Sequence, residues 1–139
     1  MAADDHSFEV EILTPEGEVF SGDVVQVSTR TVTGEIGVLA NHAPLLAALK
    51  PTELRIYRSQ SDIDRYAQAH GYMQVFANHA QILVEEAIPP DDLDPGALKE
   101  LLSDAEQRLK EAEEGSAAAT RAEKDRERAE AFLAIAGGT

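Results

Sequence analysis

Gly34-Glu35-Ile36-Gly37-Val38-Leu39-Ala40-Asn41-His42-Ala43-Pro44-Leu45-Leu46 is the stretch on which the reading of this chain turns. Glycine admits backbone angles that other residues resist, so Gly34 suits a tight turn and Gly37 a bulge or a close chain approach. Pro44 fixes its own φ and pushes Ala43 towards an extended conformation. Asn41 and His42 therefore stand where a strand ends and the chain must turn. Functional side chains often sit on such loops, held by a rigid scaffold. The plainer alternative, which local physics favours, is that Asn41 and His42 only satisfy backbone groups at a strand end.

Working outward, short alternating segments recur on both sides. Phe8, Val10 and Ile12 alternate with Glu9 and Glu11, which predicts a half-buried strand over 8–14. Pro15-Glu16-Gly17-Glu18 reads as a turn. Val19-Phe20 starts a short second strand that Ser21-Gly22-Asp23 is expected to break. Residues 24–31 are rich in β-branched side chains, and 35–39 form a fourth strand. Leu45–Leu49 precedes Pro51-Thr52, followed by strands over 53–58 and 63–69 with a polar turn between them. Residues 71–76 set Tyr72 and Gln74 opposite Met73 and Val75. Asn78-His79 reads as a turn, and 81–85 as the last strand. Strands every eight to twelve residues with turn signals between them predict an all-β sandwich or barrel.

The character changes at Ile88-Pro89-Pro90-Asp91-Asp92-Leu93-Asp94-Pro95. Pro89-Pro90 is expected to be extended and stiff, a linker. Asp94 can cap a helix and Pro95 fits its first position. Leu98, Leu101, Leu102, Ala105, Leu109 and Ala112 then follow a 3.6-residue period. Gly115 suits the left-handed residue closing that helix, and Ser116 a cap for a second one reaching about Ala136. Joined by one or two residues, the helices should be antiparallel neighbours. In the second, Ala118, Ala122 and Ala129 share a side with Phe132 or Leu133. Alanine buries little area, so the hairpin is expected to be weakly held and able to open.

Formal charge is −14. Residues 1–115 hold 8 basic and 22 acidic side chains, whereas residues 116–139 hold 4 of each. An acidic chain repels phosphate backbones and anionic lipid, so nucleic-acid binding is disfavoured; solubility explains the charge. There is no cysteine, which excludes disulfides and thiolate metal sites. No apolar run approaches the ~20 residues of a membrane helix, and Met1-Ala2-Ala3-Asp4-Asp5-His6 lacks the apolar core of a signal peptide. A cytoplasmic location is expected unless a partner holds the chain at a membrane.

Catalytic signatures are missing: no Gly-x-Ser-x-Gly, no Gly-x-x-x-x-Gly-Lys-Ser/Thr, no Gly-x-Gly-x-x-Gly. His6, His42, His70 and His79 show no metal-ligand spacing. His70 and His79 flank the turns of one predicted hairpin, which would bring them near each other, but a zinc site wants three or four ligands. Glu85-Glu86 and Asp91-Asp92 read as solvated edges rather than acid/base couples. No cofactor or metal is expected.

Residues 34–39 followed by Asn41-His42-Ala43-Pro44-Leu45 resemble the signature of the epsilon subunit of F-type ATP synthases. Phe8-Glu9-Val10-Glu11-Ile12-Leu13-Thr14-Pro15-Glu16 is similar to that family's first strand, and Gly71-Tyr72-Met73-Gln74-Val75 to a later one. The resemblance covers nearly the whole chain, with three motifs in the family's order. It implies a non-catalytic subunit of the F1 central stalk of a proton- or sodium-driven enzyme, peripheral on the cytoplasmic face of the cell membrane. Asn41, His42, Ala43 and Pro44 match the region against the gamma subunit. Thr33, Gly34 and Glu35 match the loop that touches the c-ring. The helical hairpin of such subunits folds down on the sandwich or extends up beside gamma, where it meets an acidic loop of the beta subunit, with alpha also a partner in the F1 sector, and blocks ATP hydrolysis. Arg121, Lys124, Arg126 and Arg128 fit that role by charge, although Glu123, Asp125, Glu127 and Glu130 interleave with them as on any solvated helix. Some members bind ATP through Ile/Leu-Asp-x-x-Arg-Ala. Here Leu93 and Asp94 are kept, but Ala97 stands where the arginine belongs, so tight ATP binding is not expected.

The expected architecture is thus a sandwich of about ten strands, residues 1–90, followed by an antiparallel helical hairpin, residues 91–139. Two rival functions differ in class. A stand-alone nucleotide-sensing module would bind ATP and ignore gamma. A small β-sandwich enzyme using His42 would be active alone.

Overall fold

The computed structural model describes residues 6–137; the acidic start, Met1–Asp5, and the final two residues lie outside them. Ten strands come first: β1 Phe8–Thr14, β2 Gly17–Val24, β3 Gln26–Thr31, β4 Gly34–Leu39, β5 Leu45–Leu49, β6 Thr52–Ser59, β7 Asp62–Gln68, β8 Gly71–Phe76, β9 His79–Val84 and β10 Ala87–Ile88. A 3-10 turn at Pro90–Asp92 leads to helices α1, Pro95–Glu111, and α2, Ala117–Ala136. The expected β body with a helical appendage is what the chain forms. No described helix is long and apolar enough to cross a membrane.

The strands join in the order β10-β7-β6-β3-β5-β8-β9-β1-β2, with β4 paired to β3. Among the described residues only β1 and β9 run parallel; every other pairing is antiparallel. The ladder folds over at one place. β5 and β6 both pair with β3, but Thr31 faces Leu49 while Ser28 faces Arg55. That register shift at Lys50-Pro51 is a bend where one long strand changes sheets, a device sandwiches use at their corners. β10, β7, β6, β3 and β4 form one layer, which we call sheet A. β5, β8, β9, β1 and β2 form the other, sheet B. Between them lies a closed apolar core that includes Val10, Ile12, Val27, Leu54, Met73 and Ile82.

A buried side-chain amide holds the corner. Gln68 accepts from Thr29 Oγ1 and donates through Nε2 to the carbonyls of Lys50, at 2.9 Å, and Ala69, at 3.0 Å. At the open side, Arg58 lies over the Phe20 ring, 5.5 Å from its centroid, and pairs with Asp64 at 2.6 Å. Burial raises the Tyr66 phenol on the same inner face above its usual pKa, with Asp64 adding to the shift.

Several local expectations are corrected. Gly22 does not interrupt β2, which runs unbroken to Val24. Gly34 takes φ +132°, as a tight turn requires, but Gly37 is an ordinary strand residue paired with Ser28. Pro89-Pro90 is no free linker, because β10 pairs with β7 and Pro90 opens the 3-10 turn. Asp94 caps α1 by accepting from Ala97 N–H at 3.2 Å, and Ser116 caps α2 through Ala119 N–H at 3.1 Å, both as expected. The helices are joined by residues 112–116, not by one or two. Ala112 leaves the helix in extended conformation, so Gly115, at φ +78°, sits in the connection instead of closing α1. Leu101 and Ala118 are exposed, off the packed face.

Gly71, one of the residues carrying the family resemblance, is required by space. A Cβ there would stand 2.0 Å from the Leu83 carbonyl oxygen and 2.6 Å from Val84 Cα. Both obstacles are backbone and cannot swing away. Gly71→Ala should therefore cost about 2–3 kcal/mol, lowering Tm by roughly 6–12 °C for a chain of this size. Thermal denaturation followed by circular dichroism checks this, and a drop under about 2 °C would contradict the close approach.

Candidate interaction surfaces

The loop Asn41–Pro44 follows β4 and precedes β5. Asn41 takes φ 63°, a left-handed angle that asparagine tolerates better than most residues. Its N–H donates to Asn78 Oδ1 at 2.7 Å, and Asn78 Nδ2 donates to the Ser7 carbonyl at 3.0 Å. His42 N–H donates to the Leu39 carbonyl at 3.2 Å, while His42 Nδ1 lies 2.7 Å from the Ala43 carbonyl oxygen. The loop is thus tied to the β8–β9 turn by backbone-directed bonds. The imidazole is oriented by its neighbour's carbonyl.

Thr33, Gly34 and Glu35 lie at the other end of β4, at the tip of the β3–β4 hairpin. Thr31 Oγ1 accepts from Thr33 N–H at 3.1 Å and donates to the Gly34 carbonyl at 3.0 Å, which braces the turn from inside. Arg30 pairs with Glu35 at 3.2 Å across the hairpin, in the open. The two loops are separated by the length of β4, roughly 20 Å at 3.3–3.4 Å per residue.

The outer faces of the two sheets differ. On sheet A, the end bearing Ala67 is covered: Ala67 and Ala69 pack with Leu98 of α1 and Phe132 of α2, flanked by Ile88, Leu93 and Leu133. No described element covers sheet B, yet it presents large apolar side chains. Leu46 is 72 % exposed, Phe76 63 %, Tyr72 57 % and Leu83 43 %. Register places Tyr72 beside Leu83 and Leu46 beside Gln74, so these residues share one face. Its polar flank is His79, 3.5 Å from Glu9 and 3.3 Å from Glu11. The Asn41–Pro44 loop borders this face, because Leu45 pairs with Val75. Sequence reasoning missed the patch. Its signal was two aromatics, Tyr72 and Phe76, on the side of β8 opposite the core pair Met73 and Val75.

The four α2 cations do not form one cluster. At about 100° per residue, Arg121, Lys124 and Arg128 share a face and Arg126 points away. Arg126 is bound to Glu123 and, at 2.6 Å, to Glu130 of its own helix, and Glu123 holds its guanidinium above the usual pKa. Arg128 donates to Glu86 of the sandwich at 2.7 Å and lies over the Phe132 ring. Arg121 and Lys124 are exposed. Arg108 joins the helices, bonding Asp125 and Asp104 at 2.8 Å each, with Asp125 contributing most to its raised pKa. Near Asp94, the carboxylate is occupied as a helix cap and Ala97 supplies only its N–H. His70 and His79 are corrected as a possible pair. Gly71 faces Val84 while Phe76 faces His79, so the two histidines stand at opposite ends of the β8–β9 hairpin. Among the described residues no group of three or more His, Asp or Glu side chains is placed to hold a metal ion.

Residues 7–90 match the family described as ATP synthase, Delta/Epsilon chain, beta-sandwich domain. The chain is 39 % identical over 131 residues to the ATP synthase epsilon chain of Persephonella marina, covering 94 % of this chain and 96 % of that one. It is 35 % identical to the epsilon chain of a Sulfurihydrogenibium species, covering 93 % and 96 %. Its fold resembles a chain in the Euglena gracilis mitochondrial ATP synthase assembly of OSCP, F1 and c-ring, with TM-score 0.80 at 23 % identity over 96 % of this chain and 83 % of that chain. A chain of the Tetrahymena thermophila central stalk and c-ring is similar with TM-score 0.58 at 19 % identity, over 92 % and 95 %. With sequence kinship along nearly its full length, and a sandwich carrying a two-helix appendage, the chain belongs to the ATP synthase epsilon-chain family.

Proposed function

We propose that this chain works in the central stalk of an F-type ATP synthase, peripheral on the cytoplasmic face of the membrane, as a non-catalytic link between the gamma shaft and the c-ring. The observation that carries this reading is the bare apolar face of sheet B beside the Asn41–Pro44 loop. Large exposed apolar patches on a soluble body mark interfaces, and aromatics at the centre of such a patch supply most of the binding energy. The loop then forms the edge of the gamma contact. Thr33–Glu35, one β4 length away, is the contact with the c-ring. A body spanning shaft and ring must resist shear. A sandwich with a continuous buried core suits that task better than helices, which bend.

In this reading residues 1–90 are the coupling body and residues 91–139 a regulatory hairpin. When the hairpin leaves the sandwich, Arg121, Lys124 and Arg128 face outward together, and their charge suits an acidic surface on the catalytic subunits. Arg126, tied to Glu123 and Glu130, contributes less. Related complexes of the fold are described with F1, central stalk and c-ring, which supports these partners.

Three outcomes are expected. First, Tyr72→Glu combined with Phe76→Glu should leave stability within about 1 kcal/mol, since both residues are exposed. It should also weaken co-purification with gamma by at least about tenfold; undiminished stoichiometric binding would remove the sheet B interface. Second, truncation after residue 90 should raise ATP hydrolysis by the reconstituted complex several-fold. The Arg121→Ala, Lys124→Ala variant, which spares the ion pairs of Glu127 and Arg128 with the sandwich, should do so in part. Unchanged hydrolysis in both would end the inhibitory role while sparing the structural one. Third, isothermal titration with ATP should show a Kd weaker than about 1 mM, because no arginine is supplied at Ala97; a micromolar Kd would favour the nucleotide-sensing alternative.

A further inference from the structure

Among the described residues the strand path ends at β10, β2 and β4, and the first two ends are guarded. β10 is only two residues long and runs into Pro89-Pro90. β2 carries Glu18 and Asp23, its pairing with β1 is bulged after Ile12, and Arg58 of β6 covers its Phe20. Short length, charge, bulges and covering groups are how proteins keep sheet edges from pairing with other chains. β4 has fewer such guards. Its six residues pair with β3 without a register shift, Glu35 is their one charged side chain, and there is no proline among them. No described strand pairs with its far side.

The neighbours of β4 fix the direction of its backbone. Lys50 N–H donates to the Arg30 carbonyl at 2.9 Å, and Val32 N–H to the Ala48 carbonyl at 3.1 Å. Arg30, and with it Ser28 and Gln26 at strand spacing, thus turns its backbone groups away from β4. Their partners Glu35, Gly37 and Leu39 turn theirs to the open side. The Leu39 carbonyl takes His42 N–H there, at 3.2 Å, while the N–H and carbonyl groups of Glu35 and Gly37 remain unpaired among the described residues. Nothing inside the chain requires glycine at position 37. Its φ is not left-handed, and a Cβ would meet only Gln26 Nε2, at 3.6 Å. A glycine inside a strand weakens it, and such a residue often marks the close approach of another backbone. Here it lies in a shallow groove on the outer face of sheet A, beside Gln26, Ser28 and Arg55.

We propose that β4 is a strand-addition site, on which an extended segment of the gamma subunit pairs with Glu35, Gly37 and Leu39 and widens sheet A by one strand. This rests on the reading that the chain seats on gamma. The Asn41–Pro44 loop, at the edge of that contact, follows directly on the end of β4. Side chains alternate across a strand, which fixes the chemistry of the added segment. Its inward residues meet the half-buried Ile36, which packs against the core, and are apolar. Its outward residue beside Gly37 is bulky, preferably aromatic, because a large cross-strand side chain covers an edge glycine. A second copy of this chain suits the edge less well, since each copy carries a formal charge of −14.

The test is amide exchange of the full-length, uniformly ¹⁵N-labelled chain, free and in complex with unlabelled gamma. In the free chain Ile36 and Val38, which bond to β3, should exchange slowly, and Glu35 and Gly37 quickly. In the complex Glu35 and Gly37 should slow by at least about tenfold, while Ile36 and Val38 change less. A complex that forms but leaves both amides as fast as before overturns strand addition and leaves the gamma reading standing. Absence of any complex overturns both. Slowing of the same amides in the free chain as its concentration rises, with a dimer in sedimentation, assigns the edge to a second copy and overturns the gamma segment. Gly37→Pro removes the outward N–H and no bond to β3. Its affinity for gamma should fall by at least about tenfold, with the β8 and β9 amides still protected. Undiminished affinity overturns strand addition, and should that variant fail to fold, the exchange pattern of the parent chain decides.

Discussion

A single buried amide, Gln68, is the constraint on which the rest of the structure depends. Its carbonyl takes the Thr29 hydroxyl and its nitrogen serves two backbone carbonyls, Lys50 and Ala69. All of these groups meet where the β5–β6 strand bends from one sheet to the other. An unsatisfied buried amide costs about 1–3 kcal/mol per lost partner, so the corner is specified by its hydrogen bonds and not only by apolar contact. The bend puts β5 in sheet B and β6 in sheet A. It also places Ala67 and Ala69 outward on either side of Gln68, where they form the floor on which Phe132 and Leu98 rest. Lys50 contributes its carbonyl to the knot and its ammonium to Glu127. Core closure, helix seat and charged seam are therefore set by neighbouring residues of one corner.

The magnitudes separate the body from its appendage. The sandwich buries a run of large side chains from eight strands, and the helices rest on it chiefly through Phe132 and Leu98. Burying a phenylalanine or a leucine contributes about 1.5–3 kcal/mol, and a half-exposed ion pair about 0–1 kcal/mol. Docking is thus worth a few kcal/mol, of the same order as the gap in a typical two-state element. Ala122 and Ala129 let α2 approach α1 closely, and Arg108 clamps the two helices through Asp104 and Asp125. The hairpin is better held to itself than to the sandwich.

Alternation of apolar and polar residues disclosed nearly every strand, because each strand has one face on the core. Caps were equally legible: Asp94 and Ser116 are local signals with local consequences. What escaped was non-local. Nothing within Leu45–Ser59 announces that one strand serves two sheets, since the register shift depends on Thr29 and Gln68 far away in sequence. The hairpin connection was misjudged because Gly115 does adopt a left-handed angle, but in the middle of the loop, after Ala112 had ended the helix. The loops carrying the candidate contacts were legible from Gly34, Asn41 and Pro44. The sheet B patch was hidden because outward aromatics look like ordinary β-formers until a missing cover reveals them.

The cations of α2 show how one helix can serve two surfaces without serving both at once. Arg121, Lys124 and Arg128 share a face, and in the docked hairpin that face is committed in part, because Arg128 holds Glu86. An acidic partner elsewhere in the complex would need the same guanidinium. Competition for Arg128 would make docking and engagement of such a partner exclusive by occupancy, without any change inside the sandwich. Because the docked form is favoured by only a few kcal/mol, a partner that meets the cationic face only in the undocked hairpin and offers a few more can invert the population. The residue that ties the hairpin down is thus the one a competing surface must win.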